Sequence, residues 1–508
     1  MDFDDLPPGW AWATLGEVTE LPDSVSPAAI FADCATFTYV DLSAIKNGRI
    51  ITPQRLAPAD APSRARQRIC TGDTLFSCVR VYLENIAFVS PNLDGQIAST
   101  AFAVLRPRAG IDPGYLHWLV RQPDFIKRMN EAQRGNSPPS VQEGDVRDAM
   151  VPIAPPAEQS RIATEVEKLF EQLDETEAAL ARAREGVGQF RASLLHAACT
   201  GALTADWRAA NPSAETGEAL LRRILTERRA AWERTECARL EATGTPLRVD
   251  AWKARYVEPT PPAEAELQEL PVGWAWATLD HLIREAPRNG ISVQGTPDPP
   301  GVAALKLDAL GEDGLRFDRR RYLDIPMRKA LALYISKGDF FVSRANGSPA
   351  FLARACVAGE PPEPVIFPDT MIRFRFHPLA LAEWVALAWR SDLTRRQILQ
   401  KAKTSAGILK VSQDDLLSVH LPIPPLVEQG VILATANVIL AEAGNMTVVS
   451  ADTNLSSLRQ SILHAAFSGH LVPQDPADEP AAVLLARLRA TPAPARRTRR
   501  RTQTEAFA

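Results

Sequence analysis

Two Pro-Pro tetrapeptides are the nearest thing in this chain to a catalytic motif. In Ser137-Pro138-Pro139-Ser140 and Asp298-Pro299-Pro300-Gly301 a polar residue precedes two prolines. In amino-methyltransferases such a side chain and a prolyl carbonyl accept hydrogen bonds from an amino group while an aromatic stacks on the flipped base. The closing aromatic is missing from both, so both read as turns. Pro123-Asp124 with Glu131 and Gln133 has a nuclease-like order of carboxylates, but glutamine stands where lysine would polarise water. There is no GxGxxG opening a βαβ unit, no GxxxxGK[ST] loop, no HExxH and no nucleophile elbow. His196 and His464 recur in two His-Ala-Ala segments whose helical spacing suits a structural hydrogen bond better than a metal ligand or a base. Six scattered cysteines without a CxxC pair suggest neither a disulfide framework nor a zinc site, and read as core thiols of a reducing compartment. These residues suit recognition rather than catalysis.

Net charge is −4, so no global basicity points to nucleic acid, but the distribution is uneven. Arg390, Arg395, Arg396, Lys401, Lys403 and Lys410 face one acid, Asp392; Arg121, Lys127, Arg128 and Arg134 face Asp124 and Glu131. Either segment fits a phosphate-facing stripe or a solvated helix face. The Arg496 to Arg501 cluster, flanked by Thr and Pro, reads as a disordered tail. No run of about eighteen apolar residues and no signal-peptide pattern is apparent, so the expected location is cytoplasmic, with no membrane partner.

The elements that carry these residues come in two copies. Leu6 to Gly16 (LPPGWAWATLG) matches Leu270 to Asp280 (LPVGWAWATLD) at nine of eleven positions, 264 residues apart. Val151 to Gln159 (VPIAPPAEQ) returns as Leu421 to Gln429 (LPIPPLVEQ), and Ser193 to Leu203 (SLLHAACTGAL) as Ser461 to Leu471 (SILHAAFSGHL). A period this long means two copies of a whole module rather than a solenoid. Short β-rich runs predict strands at Phe37 to Leu42, Thr74 to Val79, Ile86 to Val89 and Ala98 to Leu105 in the first copy. In the second they fall at Val302 to Leu307, Asp339 to Ser343, Leu352 to Val357 and Met371 to Phe376. One helical stretch follows in each, Pro113 to Gln133 and Pro378 to Lys401.

Pro155-Pro156 and Pro424-Pro425, each followed by Glu-Gln, mark the starts of two long helices, with fixed φ and an acid at the positive end of the dipole. In the first, Ile162, Val166, Leu169, Leu173, Thr176, Leu180, Ala183, Val187, Phe190, Leu194 and Ala197 step by four and three, a coiled-coil seam. The second changes phase within Gly444 to Val449, which predicts a kink. The two are expected to pair antiparallel as a rod of about 60 Å. The fold class is thus α+β, with two similar domains of twisted sheet plus helices, separated by two long helices in an antiparallel coiled coil. The expected divisions are 1–154, 155–203 (long helix), 204–269 (charged helix and Pro-rich linker), 270–423, 424–472 (long helix) and 473–508 (short helix and tail). Glu218 to Arg222 and Ala482 to Arg487 look like one repeated element, a docking helix or a brace.

The order of these motifs resembles the specificity subunit of type I restriction-modification systems. The resemblance covers nearly the whole chain. It is carried by the paired GWAWATL openings, Gly72-Asp73-Thr74-Leu75-Phe76-Ser77, Val79 to Ala87, Ala98 to Pro107, Lys337 to Ser348 and the Pro-Ile-Pro-Pro-Leu-Val-Glu-Gln helix start. It implies two target-recognition domains, each reading half of a split double-stranded DNA sequence. It also implies two methyltransferase subunits using S-adenosylmethionine, restriction and translocation subunits using ATP and Mg, and no cofactor or catalytic residue in this chain. The long inter-module segment departs from the family pattern. Base readout needs polar or basic side chains on exposed loops. The candidates are Arg80, Tyr82, Asn85, Ser99, Thr100, Arg134 and Asn136 in the first domain, and Arg344, Asn346, Ser348, Lys403, Thr404, Ser405 and Lys410 in the second. Ser77 and Ser343 read as turn scaffold instead. A coiled-coil scaffold whose domains bind protein is the competing expectation, and salt-dependent DNA binding separates the two. A stand-alone nucleic-acid enzyme with an unfamiliar site is a third.

Overall fold

The computed structural model describes residues 6–46, 48–135, 138–213, 215–243, 250–262, 267–311, 314–405, 407–446 and 451–491. The chain divides into two compact units, Met1–Ala181 with Val449–Ala508, and Arg182–Val448.

Two of the three repeated sequences are hydrogen-bonded partners, which explains why they recur together. In the first unit Ala11–Thr14 pairs antiparallel with Met150–Ile153, Ala11 opposite Ile153. In the second, Ala275–Thr278 pairs with His420–Ile423, Ala275 opposite Ile423. The leading tryptophan of each opening is buried, and its indole N–H donates to the glutamate of the Glu-Gln helix start: Trp10 to Glu158 at 3.1 Å and Trp274 to Glu428 at 2.9 Å.

The central sheet also repeats. Its order in the first unit is Thr19–Glu20, Phe102–Pro107, Thr74–Ser77, Ile86–Phe88; in the second it is Arg288–Asn289, Met371–Phe374, Phe340–Ser343, Ala355–Val357. Every residue of Thr74–Ser77 and Phe340–Ser343 is buried because side chains alternate between two cores, Phe76 into one and Leu75 into another. A second sheet lies in each unit, four-stranded in the first and three-stranded (Gly295–Thr296, Arg320–Leu323, Val302–Leu305) in the second. The Gly-Asp motif braces the central sheet. Asp73 takes two hydrogen bonds from Arg106 and one from the Cys70 amide, as Asp339 does from Arg375 and the Ser336 amide. Ser77 and Ser343 donate to the carbonyls of Val79 and Phe351, the scaffold role expected of them.

Each predicted single helix after the sheet is in fact two, Pro113–Leu119 and Pro123–Glu131, then Ala382–Trp389 and Asp392–Lys401. Pro123 has no amide to continue the first, and Ser391 buries its hydroxyl on the Ala388 carbonyl to end the other.

The first long helix runs Pro156–Thr200. Its seam is buried at the first end, with Ile162, Val166 and Leu173 in the first unit's core. At the other end the second unit's core takes Leu195, Ala198 and Cys199, beside the seam residues Leu194 and Ala197 rather than on them. Between them Ala183 is exposed and Phe190 is 50% exposed. The second long helix is Leu426–Met446 and Ala451–Phe467; the phase change falls partly on residues 447–449, outside the described ones. Ile432 and Ala436 belong to the second unit's core, whereas Ile462, Leu463, Ala466 and Phe467 belong to the first's. The third repeated sequence is therefore exchanged: each module's closing helix packs in the other unit. Within the first unit the pairing is antiparallel, Arg459 donating to Asp174 at 2.8 Å and Glu177 at 2.7 Å, while Arg161, earlier in the long helix, meets Asp478, beyond the end of its partner.

The repeated short element docks rather than braces. Gly217–Ala242 buries Leu220, Leu221 and Ile224 in the second unit, and Ala481–Ala490 buries Leu484, Leu485 and Leu488 in the first. The Gly217 amide bonds the Gly273 carbonyl as the Ala481 amide bonds that of Gly9. A Cβ on Gly217 would lie 2.1 Å from the Ile423 carbonyl oxygen, so close an approach requires glycine. Contrary to the expectation from sequence, Leu426–Ala443 is long and apolar enough to cross a membrane by length and composition. Its start instead bears Glu428, held by the Thr204 hydroxyl, Arg208 and Trp274 inside the folded unit. The Arg496 to Arg501 cluster lies outside the described residues.

Candidate nucleic-acid interface

In both units the central Gly-Asp strand runs on past its serine into a short outer ladder, where the candidate residues gather. In the second unit Ala345–Asn346 pairs with Ile408–Lys410, which pairs with Lys403–Ser405. The register sets Lys403 directly opposite Lys410, Thr404 opposite Leu409 and Ser405 opposite Ile408. Leu409 is half-buried against the core, so the alternate positions Lys403, Ser405 and Lys410 are exposed; Thr404 at the edge is exposed too. Like charges directly opposite on a sheet repel. Among the described residues neither lysine has a carboxylate in salt-bridge range, so the pair suits an external anion. Arg344, also exposed and without a described carboxylate partner, is fixed by its backbone, its amide on the Thr370 carbonyl and its carbonyl receiving the Val411 amide. Asn346 and Ser348 are half-buried, and the Asn346 side-chain oxygen accepts the Ser348 amide at 3.0 Å, shaping the loop.

The first unit has a shorter version. Ser140 bridges to both Val79 and Arg134, and the Val141 amide bonds the Cys78 carbonyl just as Val411 bonds Arg344. Arg80, Tyr82 and Thr100 are exposed around this ladder, and half-buried Asn85 accepts the Ser77 amide on its carbonyl. Arg134 meets Asp145 at 2.8 Å, a surface pair worth a fraction of a kcal/mol (about 0.5) that DNA could displace. Ser99 is buried, its hydroxyl accepting the Ala101 amide, so it shapes a turn and we leave it out of the interface. Asn136 lies outside the described residues, as does Ser137 of the first Pro-Pro motif. Pro139 of that motif accepts the Arg80 amide; the second motif is a turn in which the Thr296 hydroxyl donates to the Asp298 carbonyl.

Several cations of the two basic segments are structural. Arg121 lies 4.8 Å from the Trp118 ring, Arg128 donates to the Met150 carbonyl, and Arg395 holds the Leu352 and Pro349 carbonyls. Burial lowers the pKa of all three. His196 and His464 are exposed, and among the described residues neither side chain forms a hydrogen bond, against the expectation of a structural one. Sequence reasoning missed Arg64, Arg66 and Arg68. They are exposed on and beside Ala65–Arg68, next to Thr100, whose amide bonds the Arg64 carbonyl. The period-two pattern Ser-Arg-Ala-Arg-Gln-Arg was the available signal. The comparable Arg319 and Arg320 of the second unit are neutralised by Asp308, Asp318 and Glu363.

A groove of about 600 Å³ in the first unit is lined by Glu84, Arg121, Lys127, Asn130, Phe170 and Arg459 among others, a mixture of signs with no convergent acid–base set. His117 beside it is held neutral, its pKa lowered to about 3 by burial and by Arg121.

No family model matches the chain. It is 22% identical to the type I restriction enzyme EcoKI specificity subunit of Escherichia coli K12 over 94% of this chain and 93% of that one. It is 24% identical to the EcoDI specificity subunit of Escherichia coli over 72% of each. Two solved structures share the fold. One, from work on complex assembly and conformational transition of the type I R-M system, covers 92% of this chain and 99% of the other at TM-score 0.63 and 24% identity. The other, the HsdS subunit from Thermoanaerobacter tengcongensis, covers 92% and 98% at TM-score 0.50 and 24% identity.

Proposed function

We infer that this chain, which belongs to the specificity subunits of type I restriction-modification systems, recognises a bipartite double-stranded DNA target, one half-site per unit. Its role is non-catalytic and cytoplasmic. It directs two methyltransferase subunits, which hold S-adenosylmethionine, and restriction and translocation subunits, which use ATP and Mg, to that target. The observation that carries the reading is the outer ladder beside the Gly-Asp strand, present in both units. In the second it sets two lysines face to face with no described carboxylate in salt-bridge range, an arrangement whose mutual repulsion a phosphate relieves. Arg80, Tyr82, Asn85, Thr100 and Arg134 in one unit, and Arg344, Asn346, Ser348, Lys403, Thr404, Ser405 and Lys410 in the other, are the proposed contacts, with Arg64, Arg66 and Arg68 added as phosphate contacts.

The experiment is adenine methylation mapping in cells with and without this gene, the methyltransferase partner being expressed. Loss of methylation at one split motif is expected, and yields both half-sites and the spacer. An unchanged methylation pattern would defeat the reading and favour a protein-binding scaffold.

A further inference from the structure

Among the described residues, three that are not glycine have a positive φ: Arg80 at 51°, Glu84 at 50° and Ala353 at 51°. All three lie in two loops, and the two loops occupy the same place in the repeat. One, 78–85, follows the strand Thr74–Ser77; the other, 344–354, follows Phe340–Ser343. Side-chain-bearing residues adopt this backbone conformation at a cost, and such strain persists where the surroundings impose it.

The loops are pinned. Val81 is buried, and the Leu83 and Glu84 amides bond the Arg80 and Val81 carbonyls while the Arg80 amide holds Pro139. In the second loop Leu352 and Ala353 are fully buried, Ser343 donates to the Phe351 carbonyl, and Arg395 donates to the Pro349 and Leu352 carbonyls. Between these anchors each loop turns large apolar side chains outward. Tyr82 is 55% exposed, Leu83 52% and Phe351 45%. Arg80, in the first loop, and Arg344, at the start of the second, are exposed guanidinium groups with no carboxylate partner among the described residues, on the same outer ladders as the other candidate DNA contacts. The Arg354 guanidinium lies over the Phe351 ring, 4.6 Å from its centroid, and would have to move aside for that ring to stack on a base.

We propose that Tyr82 with Leu83, and Phe351, are wedges that enter a base step in each half-site and unstack it, so that part of the sequence preference is read as ease of deformation. This rests on the DNA-recognition reading above. A rigid apolar tip flanked by a free cation suits such an insertion, because the cation holds the phosphate while the ring replaces the stacking partner that the base loses. Two copies fit two half-sites. Glu84, the one acid in the first loop, lines the neighbouring groove with Arg121.

The test uses the full-length chain with its methyltransferase subunits, and a duplex bearing the motif found by methylation mapping, with 2-aminopurine placed at each adenine in turn. The wild type should brighten at a base step in each half-site. Tyr82→Ala/Leu83→Ala should abolish the signal in one half-site and Phe351→Ala in the other, each weakening binding about tenfold. Tyr82→Trp should retain both signal and affinity. All these positions are exposed, and an unchanged melting temperature verifies folding. Unaltered fluorescence and affinity in the alanine variants would overturn the inference while leaving DNA recognition intact. Loss of methyltransferase co-purification with unaltered DNA signals would overturn it in favour of a protein contact. Absence of salt-dependent duplex binding by the wild type would overturn the DNA reading itself.

Discussion

Replacing both opposed lysines, Lys403→Ala/Lys410→Ala, tests the interface where its electrostatics are clearest. The two ammonium groups occupy facing positions of adjacent strands, exposed and without an ion-pair partner among the described residues. Their removal takes away the repulsion between them but also the attraction of Lys403 for Asp415, so stability should change by no more than about 0.5 kcal/mol in either direction. Binding, by contrast, should weaken. Each neutralised phosphate contributes about 0.9 to the slope of log K against log salt, so losing two contacts lowers its magnitude by about 1.8. Between roughly 0.15 M and 1 M salt the same relation gives about fivefold in affinity per contact, hence about 30-fold for the pair at the lower salt and little difference at the higher. Fluorescence anisotropy of a labelled duplex, titrated with the chain at several salt concentrations, measures slope and affinity together. A folded variant with the wild-type slope would refute the placement of these lysines on phosphates. A slope reduced by about one would mean that a single lysine makes the contact.

Three further outcomes follow from the packing. Glu428→Gln should destabilise the second unit by about 3 kcal/mol, because the buried carboxylate answers Arg208, Thr204 and Trp274 together. Glu158→Gln should cost clearly less, since among the described residues only the Trp10 indole donates to the Glu158 side chain and its other oxygen has no partner; urea unfolding followed by tryptophan fluorescence compares the two. Burial pushes the thiols of Cys78, Cys199 and Cys356 up to about 12, so Ellman's reagent at pH 8 should label exposed Cys34 first and those three only after unfolding. His117 is depressed to about 3 against an unfolded value near 6.5, so below pH 6.5 the unfolded chain gains a proton that the folded chain refuses. Its stability contribution is complete above that pH and falls by up to about 1.4 kcal/mol per unit as the medium is acidified toward 3, with burial of His281 and His377 acting in the same direction. A urea midpoint as high at pH 5 as at pH 7.5 would contradict this.

Local patterns in the chain already determine much of the architecture. The duplicated Gly-Trp-Ala-Trp openings and Pro-Ile segments announce two modules. The β-rich runs around Phe340–Ser343 and Thr74–Ser77 announce buried strands, and Pro156 with Glu158 announces a helix, because each preference is set by residues within a turn or a strand length of one another. The family resemblance reaches as far as the role, since it reads the order of such local signals. What lay beyond the sequence depended on contacts between distant residues. Nothing near Phe467 reveals that it packs on Tyr115, 352 positions earlier, with ring centroids 5.3 Å apart. The exchange of closing helices is thus a property of the folded chain. Arg121, Arg128 and Arg395 look in sequence like Lys403 and Lys410, yet the fold commits the first three to Trp118 and backbone carbonyls and leaves the last two without a described carboxylate partner. Ser99 and Thr100 are adjacent, but one faces the core and the other solvent. Which polar side chain is free to meet a ligand is decided by where its neighbours' donors and acceptors are already satisfied, and only the tertiary structure sets that.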